Sequence, residues 1–354
     1  MTAERIAIRA GSSESVLWVG LGVVDDPRRY LSSPSGRWLV VSSVNARAAA
    51  GRLRAALSTN AILEMEIEDS EETKTLDTVR EIADRAIEAG VRRDDAFVAV
   101  GGGVVTDVVG FAAAIVLRGV AWNAVPTTVA GMADAAIGGK TGVDHRLGKN
   151  LLGAFHPPRV VLIDPSAAAT LSDRDYRSGL VEAFKGAWIA DPDLSDRAES
   201  RLSAIVARDE AALLGAARVK AAIVAADPLE EDRRRLLNFG HTLGHAFEAA
   251  GGYRDLKHGE AVGWGIAAAL SISRDRAGLA EKDATRIRSV LSRLGPFPEP
   301  VRAAAVLGPL LARDKKANAR GLPGVVLEAV GRARVEESVP VEEWLEAARS
   351  AAIG

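Results

Sequence analysis

The chain has 354 residues, 48% hydrophobic and 26% charged, with a formal net charge of −2. Its length fits about two domains of ~100–200 residues, its apolar content excludes wholesale disorder, and its near-neutral charge gives no footprint for nucleic acid or an anionic membrane. Cysteine is absent, which removes disulfides, thiol nucleophiles, iron–sulfur clusters and Cys-ligated zinc together, so a metal can sit only on His, Asp or Glu.

The first residues, Met1-Thr2-Ala3-Glu4-Arg5, are charged and lead into no apolar core, unlike a signal peptide. Strands are predicted at 37–43, weakly at 62–67, and at 96–100, 121–125 and 160–164; helices are predicted at 45–57, 73–90 and 104–117. In the 73–90 segment, Leu76, Val79, Ile82, Ala83, Ala86 and Ile87 recur at helical spacing. Strands alternating with helices imply parallel pairing through crossovers. The longest apolar run, 108–117, stops at Arg118, far short of the ~20 residues a bilayer span needs; a cytoplasmic protein with no membrane contact is the expectation. After Pro165 the pattern turns helical, from 173 to 279, with two short β-like pieces at 324–328 and 333–337. An α/β domain over 1–165 and a largely α-helical domain over 166–354 follow, with the cleft between them as the default ligand site.

Gly101-Gly102-Gly103 ends a predicted strand and opens a helix, where backbone N–H groups and the helix dipole can meet an anion. The strict G-x-G-x-x-G fingerprint fails at Thr106, and the triplet suits a diphosphate cradle and a tight turn equally. Gly138-Gly139-Lys140-Thr141 looks like a P-loop tail, but Asp134 stands where the first glycine is required, so no Walker motif is present. Around it lies a dense polar set, Asp134, Lys140, Asp144, His145, Lys149 and Asn150, among small and apolar residues.

Arg234, Asn238, His241 and His245 recur at i, i+4, i+7 and i+11, which predicts one face of one helix. Gly240 and Gly244 within it, each costing up to ~1 kcal/mol against Ala, predict a close neighbour. The Lys and Glu of a solvated face are missing, so the face reads as a ligand or metal site. The zincin Glu is also missing, since Thr242 follows His241. His258 opens another predicted helix, and three histidines within 18 residues, plus a carboxylate from elsewhere, suit an open divalent-metal site. Glu182 and Lys185 share a helical face, and their spacing alone reads as a surface ion pair. The acidic run 68–72 reads as a solvated face or a helix N-terminus. Arg118, Lys140, Lys185, Lys220, Arg234 and Lys315 are cations that an anionic substrate could gather, though spacing alone does not bring them together.

Five segments follow one another along nearly the whole chain: GGGVVTDVVGFAAA (101–114), VPTTVAGMADAAIGGKTGVDHRLGKNLLGAFHPP (125–158), LNFGHTLGHAFE (237–248), HGEAV (258–262) and RDKK (313–316). Together they resemble the dehydroquinate synthase family of sugar phosphate cyclases. The resemblance implies an α/β, Rossmann-like N-terminal domain and a largely α-helical C-terminal domain, shared with iron-type alcohol dehydrogenases and glycerol dehydrogenases. It further implies a homodimer acting on a small anionic sugar phosphate, with bound NAD and one divalent ion, zinc or cobalt. The implied metal ligands are Glu182, His241 and His258, which puts His245 beside the ion rather than on it. NAD would meet Asn45, Glu71, Lys74, Gly102, Gly103, Val104, Asp107, Thr127, Thr128, Thr170 and Leu171, with Lys140 and Lys149 close by. Substrate would meet Arg118, Asp134, Lys140, Asn150, Lys185, Lys220, Arg234, Asn238, His245 and a lysine of the 315–316 pair, Lys315 first.

The implied reaction turns a C7 heptulosonate 7-phosphate (DAHP) into 3-dehydroquinate, as a phosphate-eliminating carbon–oxygen lyase. Transient oxidation of a ring carbinol makes phosphate elimination possible; reduction, ring opening and intramolecular aldol closure follow. An aminodehydroquinate synthase acting on amino-DAHP and an NAD-dependent polyol dehydrogenase of the glycerol dehydrogenase type are the alternatives. Asp144 departs from the Asn usual in the family, and Asp232-Arg233 precede Arg234 where Gly-Leu is common.

Overall fold

The computed structural model describes residues 3–10, 13–57, 60–208, 213–312 and 321–353. Contacts divide it into two compact units: Met1–Leu171 with Lys220–Leu229, and Ser172–Val219 with Glu230–Gly354. Among the described residues, no helix is long and apolar enough to cross a membrane.

The first unit is built on a seven-stranded sheet. Its strands are β1 (Glu4–Ala10), β2 (Ser13–Val19), β3 (Trp38–Ser43), β4 (Ala61–Ile67), β5 (Ala96–Gly101), β6 (Ala121–Pro126) and, after a separate hairpin of β7 (Lys140–His145) and β8 (Gly148–Phe155), β9 (Val160–Ile163). The order across the sheet is β1-β2-β9-β6-β5-β3-β4. All neighbours run parallel except β1 and β2. Helices α1 (Arg47–Leu57), α2 (Leu76–Glu88) and α3 (Gly103–Ile115) supply the crossovers that parallel pairing needs. β3 and β5 are buried at every residue, as strands covered on both faces must be. Helix α2 starts at Leu76, the first residue of the apolar spacing and later than the predicted start at 73, because Thr75 caps it by accepting the Thr78 N–H and residues Glu71–Thr73 form a separate 3-10 turn.

The β7–β8 hairpin is not evident in the sequence, where its glycines resemble a loop. They are instead the condition for pairing. A Cβ at Gly153 would lie 2.1 Å from the Thr141 carbonyl oxygen, and one at Gly142 would lie 2.5 Å from that of Leu152.

The second unit is helical: α4 (Asp173–Ala190), α5 (Pro192–Ser200), α6 (Leu202–Val206), α7 (Leu213–Ala226), α8 (His241–Ala250), α9 (His258–Ala277), α10 (Glu281–Leu294), α11 (Ala304–Ala312) and α12 (Val341–Ser350). One antiparallel hairpin, β10 (Leu322–Ala329) and β11 (Arg332–Val339), joins them. From Lys220 onward, the residues of α7 cluster with the first unit. Helices α4 and α9 are buried almost all round, so they form the interior of the second unit rather than its surface.

The predicted single helix carrying Arg234, Asn238, His241 and His245 is not formed. Arg233–Asn238 is a 3-10 helix that ends at Phe239, and Gly240, at φ 80°, turns the chain before α8 begins at His241. Gly240 is therefore not a mid-helix residue but the left-handed residue that separates two elements.

Candidate active site

Two close helix approaches build the centre of the second unit. Gly259, next to His258 at the start of α9, lies so near α4 that a Cβ there would fall 1.9 Å from the Ser178 carbonyl oxygen. Its N–H donates to Ser178 Oγ at 3.1 Å. Arg174 braces the same end, donating to both oxygens of the buried Glu260 carboxylate at 2.7 Å. Glu182 lies one helical turn beyond Ser178 and so is carried to His258. On the other side, a Cβ at Gly265 of α9 would lie 1.9 Å from the Gly240 carbonyl oxygen, which docks the first residue of α8, His241, onto the same helix.

The outcome is a convergent donor set. Glu182 Oε1 lies 3.9 Å from His241 Nε2 and 3.6 Å from His258 Nε2. One donor atom from each of the three residues lies within 4.8 Å of the others. A tetrahedral ion with ligands at about 2.0–2.2 Å needs donors roughly 3.4 Å apart, so small side-chain movements close this set on one ion. Glu182 is 3% exposed, and its Oε1, the oxygen that faces both imidazoles, accepts no hydrogen bond. Buried carboxylate oxygens facing two imidazole nitrogens are what a divalent ion requires. The Lys185 ammonium, 1% exposed, forms an ion pair with the same carboxylate. The surface ion pair that their spacing suggests is therefore a buried one.

The ring of His245 stands 5.3 Å from that of His241 and 6.2 Å from that of His258. His245 and Asn238 line an open pocket together with His241, Arg235 and residues of β10 and β11. Asn238 donates to Glu230 Oε1 at 3.2 Å and to the Arg235 carbonyl at 3.1 Å. Arg234 is buried. Arg235, not singled out in the sequence, is held by Glu337 through two bonds of 2.9 Å. Lys315 and its neighbour Lys316 lie outside the described residues.

In the first unit, the N-terminus of α3 follows the glycine triplet. Gly102 is closely packed: its N–H donates to Asp69 Oδ2 at 3.0 Å, and a Cβ would lie 2.9 Å from that oxygen. Asp69 belongs to the acidic run, but nothing in the sequence sets it apart from its neighbours. Lys74 pairs with Asp107 at 2.7 Å and Lys149 with Glu71 at 3.0 Å. Burial alone would lower the Lys74 pKa, but Asp107 outweighs it and holds the ammonium above its ordinary value. Burial pushes Asp107 up, with Lys74 pulling against it. Burial would likewise raise Glu71, but Lys149 and Lys74 hold it below its usual range.

Asp144 Oδ1 accepts the N–H of Asn150 at 2.8 Å, and Asn150 sits at φ 55°, a conformation asparagine tolerates. Asp134 and Lys220 form an ion pair. The Thr127 N–H donates to the Gly101 carbonyl at 2.9 Å, and a Cβ at Gly102 would lie 3.0 Å from Thr128 Cγ2, so both threonines sit against the triplet; Thr128 Oγ1 also accepts the Gly131 N–H at 3.0 Å. Asn45 follows the end of β3, its N–H on Ser43 Oγ; Val104 opens α3; Thr170 and Leu171 follow the 3-10 turn after β9. Arg118, at φ 65°, and Lys140 are exposed.

Comparison with known proteins agrees with this organisation. Models of the 3-dehydroquinate synthase N-terminal and C-terminal domains match residues 64–178 and 179–317. The 3-dehydroquinate synthase of Geobacter metallireducens is 42% identical over 274 residues, 76% of each chain. That of Solibacter usitatus is 37% identical over 337 residues, 93% of this chain and 94% of its own. Among solved structures, a 2-epi-5-epi-valiolone synthase from Streptomyces hygroscopicus, with NAD+ and Zn2+ bound, is 31% identical with a TM-score of 0.83 and 97% of each chain covered. An iron-containing alcohol dehydrogenase at 15% identity, TM-score 0.66 and 99% of each chain shares the fold alone. With the two domain models matched over residues 64–317 and a relative 37% identical across 93% of this chain, the chain belongs to the 3-dehydroquinate synthase family.

Proposed function

We propose that this chain is a 3-dehydroquinate synthase, a phosphate-eliminating carbon–oxygen lyase that converts DAHP to 3-dehydroquinate using catalytic NAD and one divalent ion. The observation that carries the reading is the convergence of Glu182, His241 and His258 beside Lys185 in a chain of this family. Glu182, His241 and His258 would hold the ion, and zinc or cobalt suits such nitrogen and oxygen donors. When bound, the ion supplies Lewis acidity and NAD a reversible hydride acceptor.

The remaining work falls to the chain. Gly103 and Val104 open α3 and offer backbone N–H groups to a diphosphate. Glu71, Lys74, Asp107, Thr127, Thr128 and Lys149 orient the rest of the dinucleotide, and the Lys74–Asp107 pair keeps that ammonium charged and in place. Arg118, Lys140, Lys185, Lys220, Arg234 and Lys315 carry the charges that phosphate and carboxylate groups need. Asn150 and Asn238 add neutral hydrogen bonds. His245, beside the two ligand histidines, has an imidazole that can exchange hydrogen bonds with the substrate.

Oxidation and reduction cancel within each turnover, so DAHP with substoichiometric NAD and zinc releases inorganic phosphate without accumulating the near-UV absorbance of NADH. NADH accumulating in step with substrate consumed contradicts the reading.

A further inference from the structure

We propose that Glu248 is a positioning residue for the metal centre: its carboxylate accepts the Nδ1–H of His258 and so presents Nε2 of that ring to the ion. The inference rests on the metal reading above and deepens it.

Glu248 lies on α8 and is 3% exposed. A carboxylate buried so deeply stays ionised only with partners that donate to it. One such partner is the ring of His258, whose Nδ1 stands 3.3 Å from Glu248 Oε2. The opposite nitrogen, Nε2, faces Glu182 Oε1 at 3.6 Å. The imidazole is thus held between two buried carboxylates, one on α4 and one on α8. A neutral imidazole carries one N–H, and whichever nitrogen holds it cannot coordinate. An ionised Glu248 can only accept, so it draws the proton to Nδ1 and leaves the Nε2 lone pair free.

His241 shows the same arrangement with a different acceptor. Its Nδ1 stands 3.2 Å from the Phe239 carbonyl oxygen while its Nε2 faces Glu182. Each ligand histidine therefore has an acceptor behind Nδ1 and the shared carboxylate ahead of Nε2. His241 finds its acceptor in the main chain that turns at Gly240. His258 opens α9 with a side chain 43% exposed, and its acceptor is a side chain borrowed from the neighbouring helix.

The test uses zinc-loaded protein and two readouts. In 15N-histidine-labelled wild type, long-range 1H–15N spectra should show His258 protonated at Nδ1 and coordinated through Nε2; the reverse assignment overturns the proposal whatever the variants do. Competition with a chromophoric chelator should show zinc bound ~10–100-fold more weakly by Glu248→Ala. Glu248→Gln keeps an accepting oxygen, so its affinity should be restored to within about fivefold of wild type. Zinc affinity within about twofold of wild type in Glu248→Ala, or equal losses in Ala and Gln, overturns the positioning role. Glu182→Ala separates the two ideas. If it keeps wild-type zinc affinity, the metal reading fails; if it loses zinc while Glu248→Ala does not, only the present inference fails.

Discussion

The Asp144 carboxyl is pushed up to about 6, first by burial and then by the adjacent Glu71, against the Asn150 N–H that favours its charge. The fold therefore binds this proton more tightly than an ordinary Asp of pKa 3.8. The stability it contributes is complete below that ordinary value and is lost as pH rises through about 6. Asp144→Asn keeps an oxygen for Asn150 and removes the titration. Between about pH 5 and about pH 7, wild type should lose about 1 kcal/mol relative to the variant, a figure reduced for solvent screening. Denaturant melts at the two pH values measure it, and parallel slopes for the two proteins refute it. At this scale the sequence is informative where chemistry is rare: without cysteine, a cluster of three of the chain's five histidines already points to a metal. Glu182 is different, because its spacing to Lys185 is that of any surface pair, and only the resemblance to a family marks it out. Glu248 is silent, since nothing local tells one carboxylate on a helix from another until the helices pack.

Among the elements, glycines set the distances on which the site depends. Gly265→Ala would drive a Cβ to 1.9 Å from the Gly240 carbonyl, and two backbones cannot yield as a flexible side chain can. It should destabilise the protein by about 3 kcal/mol and displace His241 from Glu182, read as a lower unfolding midpoint together with weaker zinc binding; an unchanged midpoint contradicts the docking argument. The same residue type explains what the sequence conceals at this scale. Strands β3, β5, β6 and β9 are legible because short β-rich runs alternate with helical patterns. The β7–β8 hairpin is not, because its glycines allow close backbone pairing yet resemble turn residues. The regular spacing from Arg234 to His245 suggests a continuous helix, whereas the left-handed Gly240 breaks it. Apolar periodicity cannot reveal such a break, since both halves keep their own period.

For the whole molecule, ligands that bind only the folded state should raise its stability by mass action. Zinc at about 100 times its dissociation constant should add about 2.7 kcal/mol, a shift of several degrees in thermal melting, and a chelator should remove it. Melting that ignores both zinc and chelator argues against a resident metal. The change from α/β to helical character after Pro165 is visible in the sequence, but the return of Lys220–Leu229 to the first unit is not, because it begins in the middle of one unbroken helix, α7. That return limits how the gene can be dissected. A fragment stopping at Leu171 would leave Asp134 without Lys220, and one starting at Ser172 would carry ten residues that cluster with the missing portion. The polypeptide passes from one unit to the other three times, so the halves are not separable cassettes, and shuffling them between relatives would have to exchange two segments at once across three junctions.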